Sequence, residues 1–140
     1  MESNSIKHRI VLKSFVKALT SGDREGVRAC FKDDAVWHVP PYYVKFDGRM
    51  DAVGKEGIIE ILFATPAEFY KPDTIKINIH FIITDEGYGA FQFTNTCKTA
   101  SGGDYFNIYV FTVRFEDGLI AEVWEHLDSA YFNAQVHGKI

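Results

Sequence analysis

The alternation of polar and apolar positions changes rhythm once along the chain. Over residues 5–19 apolar side chains recur at Ile6, Ile10, Val11, Phe15, Ala18 and Leu19, with Lys7, Arg9, Lys13 and Lys17 mostly on the other side. That spacing predicts an amphipathic helix. Thr20-Ser21-Gly22 ends it, and Asp23 is placed to cap a short second helix through Phe31. Asp33-Asp34 reads as a solvated turn, and residues 35–39 as a strand closed by Pro40-Pro41. Residues 41–54 read as a loop, with Tyr42-Tyr43 at a pocket mouth or packed within it. Residues 55–63 read as a helix carrying Ile58, Ile59, Leu62 and Phe63, and Pro66 and Pro72 punctuate the stretch beyond it.

From residue 75 the period becomes two. Ile75, Ile77, Ile79, Phe81 and Ile83 alternate with Lys76, Asn78 and His80, which predicts a half-buried strand. His80 then belongs on the outer sheet face or at a dimer interface. Asp85-Glu86-Gly87 turns the chain into two more strands, residues 88–99 and 105–116. Glu116-Asp117-Gly118 marks a hairpin into a last strand, residues 119–127, and residues 129–136 form a closing helix. Helices first and a meander later give an α+β domain over residues 1–140, with helices on one face of a curved, antiparallel to mixed sheet.

Composition narrows the function classes. The 140 residues are 46% hydrophobic and 15% aromatic, enough for a core and for a lined cavity. Net charge is −4 and no Lys/Arg stripe tracks a phosphate backbone, so nucleic acid is not an expected partner. Cys30 and Cys97 lack metal-type spacing and read as free thiols of a reducing compartment. No apolar run has the form of a signal peptide or membrane span, which makes the cytoplasm the default location and a membrane an unexpected partner. There is no phosphate loop, no dinucleotide fingerprint and no converging His and carboxylate spacing. No cofactor and no metal are expected.

Three stretches carry a family resemblance. "FVKALTSGDREGVRACFKDDAV" resembles the first two helices of the nuclear-transport-factor-like cone fold, "WHVPP" its first strand at the pocket rim, and "FTVRFEDGLIAEVWEHLD" its last hairpin. Relatives include ketosteroid isomerases, SnoaL-type polyketide cyclases, limonene epoxide hydrolase and scytalone dehydratase. The resemblance covers nearly the whole chain. It implies a sheet curled around the N-terminal helix with two further helices, a blind apolar cavity for one small hydrophobic molecule, and a homodimer through the outer sheet face. One fold hosts many chemistries, so function has to come from the site.

Placed on this chain, the isomerase design fails. Its oxyanion-holding Tyr falls on Phe15, its base on Val39 and its protonated Asp on or near Phe111, none of which can exchange a proton. The epoxide hydrolase design keeps one carboxylate, at Glu125, with Asp128 as the terminal Asp. Its Arg-x-Asp pair falls near Phe93 and Asn95, or near Gln92 and Thr94, and its water-positioning Asn near His38.

The remaining candidates are Glu125 and His38 as catalytic groups, with Asn107, Tyr109 and Asn95 as polar contacts. Strand parity groups Val123, Glu125 and Leu127 on one face, and Asn107, Tyr109 and Phe111 on another. Trp37, Phe63 and Phe93 join Phe15, Val39, Phe111, Val123 and Leu127 as expected apolar wall. An inward Glu125 loses hydration, which raises its pKa toward neutrality and suits it to take and return a proton. His38 could share that work, and Asn107 and Tyr109 could hold a substrate carbonyl. SnoaL-type cyclases resemble this economy.

Two function classes are consistent with these residues. One is a cofactor-independent isomerase, cyclase or dehydratase-type lyase acting on a small hydrophobic carbonyl compound such as a polyketide, terpenoid or steroid-like molecule. The other is a non-catalytic binding or dimeric interaction module of the same fold.

Overall fold

The computed structural model describes residues 4–40 and 51–138, the side chain at position 137 excepted. The predicted 41–54 loop, with Tyr42-Tyr43, lies mostly outside the described residues. Helix α1 spans Asn4–Ser21 and buries Leu12, Phe15, Val16 and Ala18. The buried stripe is rotated from the expected one, for Ile6 and Ile10 are 43% and 58% exposed. Ile10 sits two residues from Leu12, roughly 200° around the helix, so both cannot face the sheet.

Helix α2, Arg24–Cys30, is capped by Asp23, whose Oδ1 accepts from the Gly26 N–H at 2.9 Å. Strand β1, Phe31–His38, starts at once. Asp33 and Asp34 are thus not a turn after the helix. They lie in the strand, where the pairing register slips between Phe31 and Val36. The three-residue β2, Asp51–Val53, was hidden by its shortness. Helix α3, Lys55–Ile59, runs into a π-helical turn, Glu60–Ala64, and then α4, Pro66–Phe69. The Thr65 N–H reaches back to the Glu60 carbonyl at 2.8 Å, the wider bonding of that turn.

The meander comes next as β3 Lys76–Asp85, β4 Tyr88–Lys98, β5 Asp104–Glu116 and β6 Leu119–His126, and α5, Ser129–His137, closes the chain. Sheet order is β2-β1-β6-β5-β4-β3, and only the β1–β6 pairing is parallel. The last strand is therefore inserted between the first strand and the meander. Asp117 and Gly118 both take positive φ, 54° and 77°, the backbone that a two-residue hairpin with the right twist requires.

Alternation on β4 and β5 sends Phe91, Phe93 and Asn95, and Tyr105, Asn107, Tyr109 and Phe111, to the inner face. On β3 the expected single row is broken. Ile79 pairs with Phe93 but Phe81 with Gln92, so His80 is a surplus residue in the ladder. Beyond it the faces exchange: Phe81 and Ile83 are 42% and 57% exposed, and Ile82 packs on the core instead. Helix α1 presses on the sheet at Gly89, where a β-carbon would meet Leu12 Cδ2 at 3.0 Å. The outer face leaves Phe106 and Ile108 exposed on β5 and, across β4, Phe81 and Ile83 exposed on β3. Among the described residues no helix is long and apolar enough to cross a membrane.

Candidate active site

Helix α1, the helical run from α3 to α4 and the inner sheet face leave a cavity of about 510 Å³, within the range of small-molecule sites. Of the expected residues, Trp37, Val39, Phe63, Phe93 and Phe111 form part of its wall. So do the polar side chains of Asn95, Tyr109 and Glu125.

Glu125 arrives through β6, directly across from Phe111 on β5. Trp37 pairs with Val123, two residues before Glu125 on the same face of a parallel neighbour. That offset brings indole and carboxyl together, and Trp37 Nε1 donates to Glu125 Oε1 at 3.0 Å. The indole is fully buried and wedged edge-on against Phe111, with centroids 4.9 Å apart, so the donor is held by packing. No Lys or Arg is among the described residues of the cavity wall. The acid is half-buried among rings and held by a neutral donor.

Opposite the aliphatic side chains stands a chain of phenols. Asn107 Nδ2 donates to Tyr105 Oη at 2.9 Å, Tyr105 and Tyr109 hydroxyls bond at 2.7 Å, and Tyr109 and Tyr70 hydroxyls at 3.0 Å. The amide N–H occupies one acceptor position of Tyr105, and in the Tyr105–Tyr109 bond either hydroxyl can be the donor. Of these phenols, Tyr70 and Tyr109 stand on the cavity wall. Burial pushes the Tyr105 hydroxyl up to about 12, and burial together with the neighbouring Tyr105 pushes Tyr70 higher still. Both are neutral donors at ordinary pH.

Five expected residues stand elsewhere. His38 is not in the cavity: next to inward Trp37 in the pleat, it points to the outer face and stacks on Trp124. Its Nδ1 lies 2.6 Å from Asp51 Oδ1 and its Nε2 2.5 Å from Glu122 Oε2. Burial pulls the His38 pKa down, but the two carboxylates outweigh it and the net shift is upward. Glu122 is held in turn by Arg114 Nε at 3.1 Å, so the cluster ties β2 to β1, β6 and β5. Asn107 is also corrected. Its amide spans Tyr105 Oη and the Asp128 carbonyl, which makes it a brace between β5 and the cap of α5 and not a substrate contact. Phe15 and Val123 are fully buried core beneath the wall, and Leu127 packs on that core.

Tyr70 and Tyr105 were missed by sequence reasoning. The parity that selected Asn107 and Tyr109 also puts Tyr105 on the inner face, so that signal was present. Tyr70 lies between Phe69 and a 3₁₀ turn, Pro72–Thr74, with no periodicity to expose it. Cys30 and Cys97 are buried free thiols, and burial raises both, Cys97 to about 11. Among the described residues no group of His, Cys, Asp and Glu is arranged to hold a metal ion.

Comparison with known proteins places the fold. The family model of the SnoaL-like domain matches residues 12–123. An NTF2-like protein of unknown function from Burkholderia pseudomallei superposes with a TM-score of 0.81 at 18% identity, covering 96% of this chain and 98% of that one. A protein described as a SnoaL-like polyketide cyclase, from Jannaschia sp. CCS1, gives 0.80 at 11% identity, covering 100% and 98%. TerC, crystallised with polyporic acid, gives 0.80 at 16% identity, covering 94% and 98%. No curated protein matches by sequence. These similarities establish the NTF2-like α+β cone with its mixed, curved sheet.

Proposed function

We propose that this chain, which belongs to the SnoaL-like domain family, is a cofactor-independent acid–base catalyst acting on a small hydrophobic carbonyl compound. The observation that carries the reading is Glu125, a carboxyl group on an aromatic cavity wall, held by the Trp37 indole. Its carboxylate takes a proton from the carbon next to the carbonyl. The C–H electron pair passes to the carbonyl oxygen, and the enolate accepts a hydrogen bond from Tyr70 or Tyr109. Where a C=C bond is conjugated with the enolate, return of the proton from Glu125 to its far carbon isomerises the substrate; attack of the enolate carbon on a second carbonyl closes a ring, and the new alkoxide takes the proton back from Glu125. Asn95, Phe93, Phe111, Phe63 and Val39 shape the site around these steps.

The test uses a cyclohexanone bearing a phenyl group opposite its carbonyl. The protein should accelerate exchange of its α-hydrogens with heavy water, read by proton NMR. Glu125→Gln keeps an acceptor for Trp37 and should slow exchange by about 10²–10⁴-fold while binding persists. Equal exchange rates in the two proteins would remove Glu125 from the chemistry. Binding without any exchange would favour the second reading, a hydrophobic-ligand carrier, which the uncharged remainder of the wall supports. A homodimer through the outer sheet face belongs to the same proposal, supported by the exposed Phe81, Ile83, Phe106 and Ile108.

A further inference from the structure

Asn95 stands at the end of the inner face remote from Glu125. The cross-strand row of Glu125 runs through Phe111 to Phe91, and Asn95 is four residues further along β4. Four residues of strand span roughly 13 Å. Asn95 is only 6% exposed and belongs to the cavity wall. Its neighbours across the strands, Ile77 and Asn107, do not satisfy it: Asn107 is engaged with Tyr105 and Asp128. Asn95 Oδ1 is a buried acceptor with no hydrogen-bond partner among the described residues.

A buried amide oxygen without a donor is costly, and native proteins rarely leave one without a reason. Its neighbours on the inner face of β3 and β4 are Ile77, Ile79, Phe93 and the Cys97 thiol, and none of them donates to it. Asn χ2 is a soft torsion, so a small turn of the amide aims its oxygen at the lumen.

We infer that Asn95 is a specificity residue that receives a hydroxyl or N–H donor carried by the ligand, at the end of the molecule opposite its carbonyl. The inference rests on the reading of the cavity as a hydrophobic carbonyl site. It narrows the ligand class to elongated, largely apolar molecules with two polar ends, a carbonyl toward Glu125 and the phenols, and a donor toward Asn95. A site built to accept a donor rejects the analogue that lacks it far more strongly than an apolar wall distinguishes two sizes.

Three probes separate the outcomes: phenyl, para-hydroxyphenyl and para-methoxyphenyl cyclohexanone, with binding followed by calorimetry and by Trp37 fluorescence. The wild-type protein should bind the hydroxyl compound about tenfold more tightly than its methyl ether. Asn95→Leu should erase or invert that preference without lowering the melting temperature of the ligand-free protein, because it removes an unsatisfied amide. Asn95→Asp, which keeps an acceptor, should retain the preference and guards against a Leu variant that fails to fold. Wild-type affinities equal for hydroxyl and ether would overturn the role of Asn95 and leave the cavity reading standing. Failure of all three probes to bind would overturn both.

Discussion

Tyr109 is the hub of the buried phenols, and Tyr109→Phe tests how the relay is wired. The substitution deletes one oxygen and leaves the ring stacked on Phe93, with centroids 5.0 Å apart, so packing is nearly conserved. It removes the bonds of 2.7 Å to Tyr105 and 3.0 Å to Tyr70 together. Each is worth about 1 kcal/mol net, and leaving the Tyr105 hydroxyl, on a side chain 1% exposed, without this partner adds about 1–2 kcal/mol. The sum is about 3–4 kcal/mol, or roughly 10 °C in melting temperature for a domain of this size. Tyr70→Phe removes the 3.0 Å bond to Tyr109 and keeps the 2.7 Å bond between Tyr109 and Tyr105, so it should cost less, about 1 kcal/mol. Tyr105→Phe should fall between, because Asn107 keeps the Asp128 carbonyl as a partner. Urea denaturation followed by circular dichroism measures all three. A Tyr109→Phe protein within about 0.5 kcal/mol of wild type, or a Tyr70→Phe protein that loses as much as Tyr109→Phe, would refute the hub.

Alkaline titration checks the same cluster independently. Tyr70 and Tyr105 hold their protons above the ordinary value near 10 in the folded chain. Their contribution is complete below that pH and is lost as pH rises toward about 12, so unfolding should coincide with a late step in tyrosinate absorbance. Ionisation of all seven tyrosines near pH 10 while the protein stays folded would contradict it. For His38, burial opposes and Glu122 and Asp51 override it, which raises the folded-state value. Its contribution is full below the ordinary value of about 6.5 and is lost as pH rises through the folded one. Wild type should therefore exceed His38→Gln in urea midpoint most near pH 6 and least near pH 9, and parallel pH profiles would remove the ion cluster from the account. Ile108→Glu should convert a wild-type dimer to monomer in light scattering; a monomeric wild type would end the dimer proposal.

The helix, hairpin and strand order could be read from the sequence because periodicity and turn chemistry are local. The resemblance singles out Glu125 and strand parity groups Tyr109 with Phe111, and the inner face holds these residues together with Phe93. Parity failed where a strand is irregular or a role depends on a neighbour. His38 and Trp37 differ by one position, and only the pairing of β1 with β6 decides which of them meets Glu125. Asn107 lies on the expected face, yet the cap of α5 claims its amide, a contact across 21 residues that no spacing rule shows. The rotated stripe of α1 came from counting Ile6 and Ile10 as core by their chemistry, when Leu12 holds the buried side.

The surplus His80 has a consequence for how this chain tolerates change. Substituting its side chain touches only an exposed contact with Gln92. Deleting the residue would leave Ile79 followed directly by Phe81, so the ladder against Phe93 and Gln92 becomes continuous while Ile77, Ile79 and Ile82 keep facing the core. Deletion of a residue within either flank, with the bulge kept, would instead turn part of the strand over and drive polar side chains such as Lys76 or Asn78 toward the lumen. The bulge is thus where β3 can lose a residue without exchanging inside for outside.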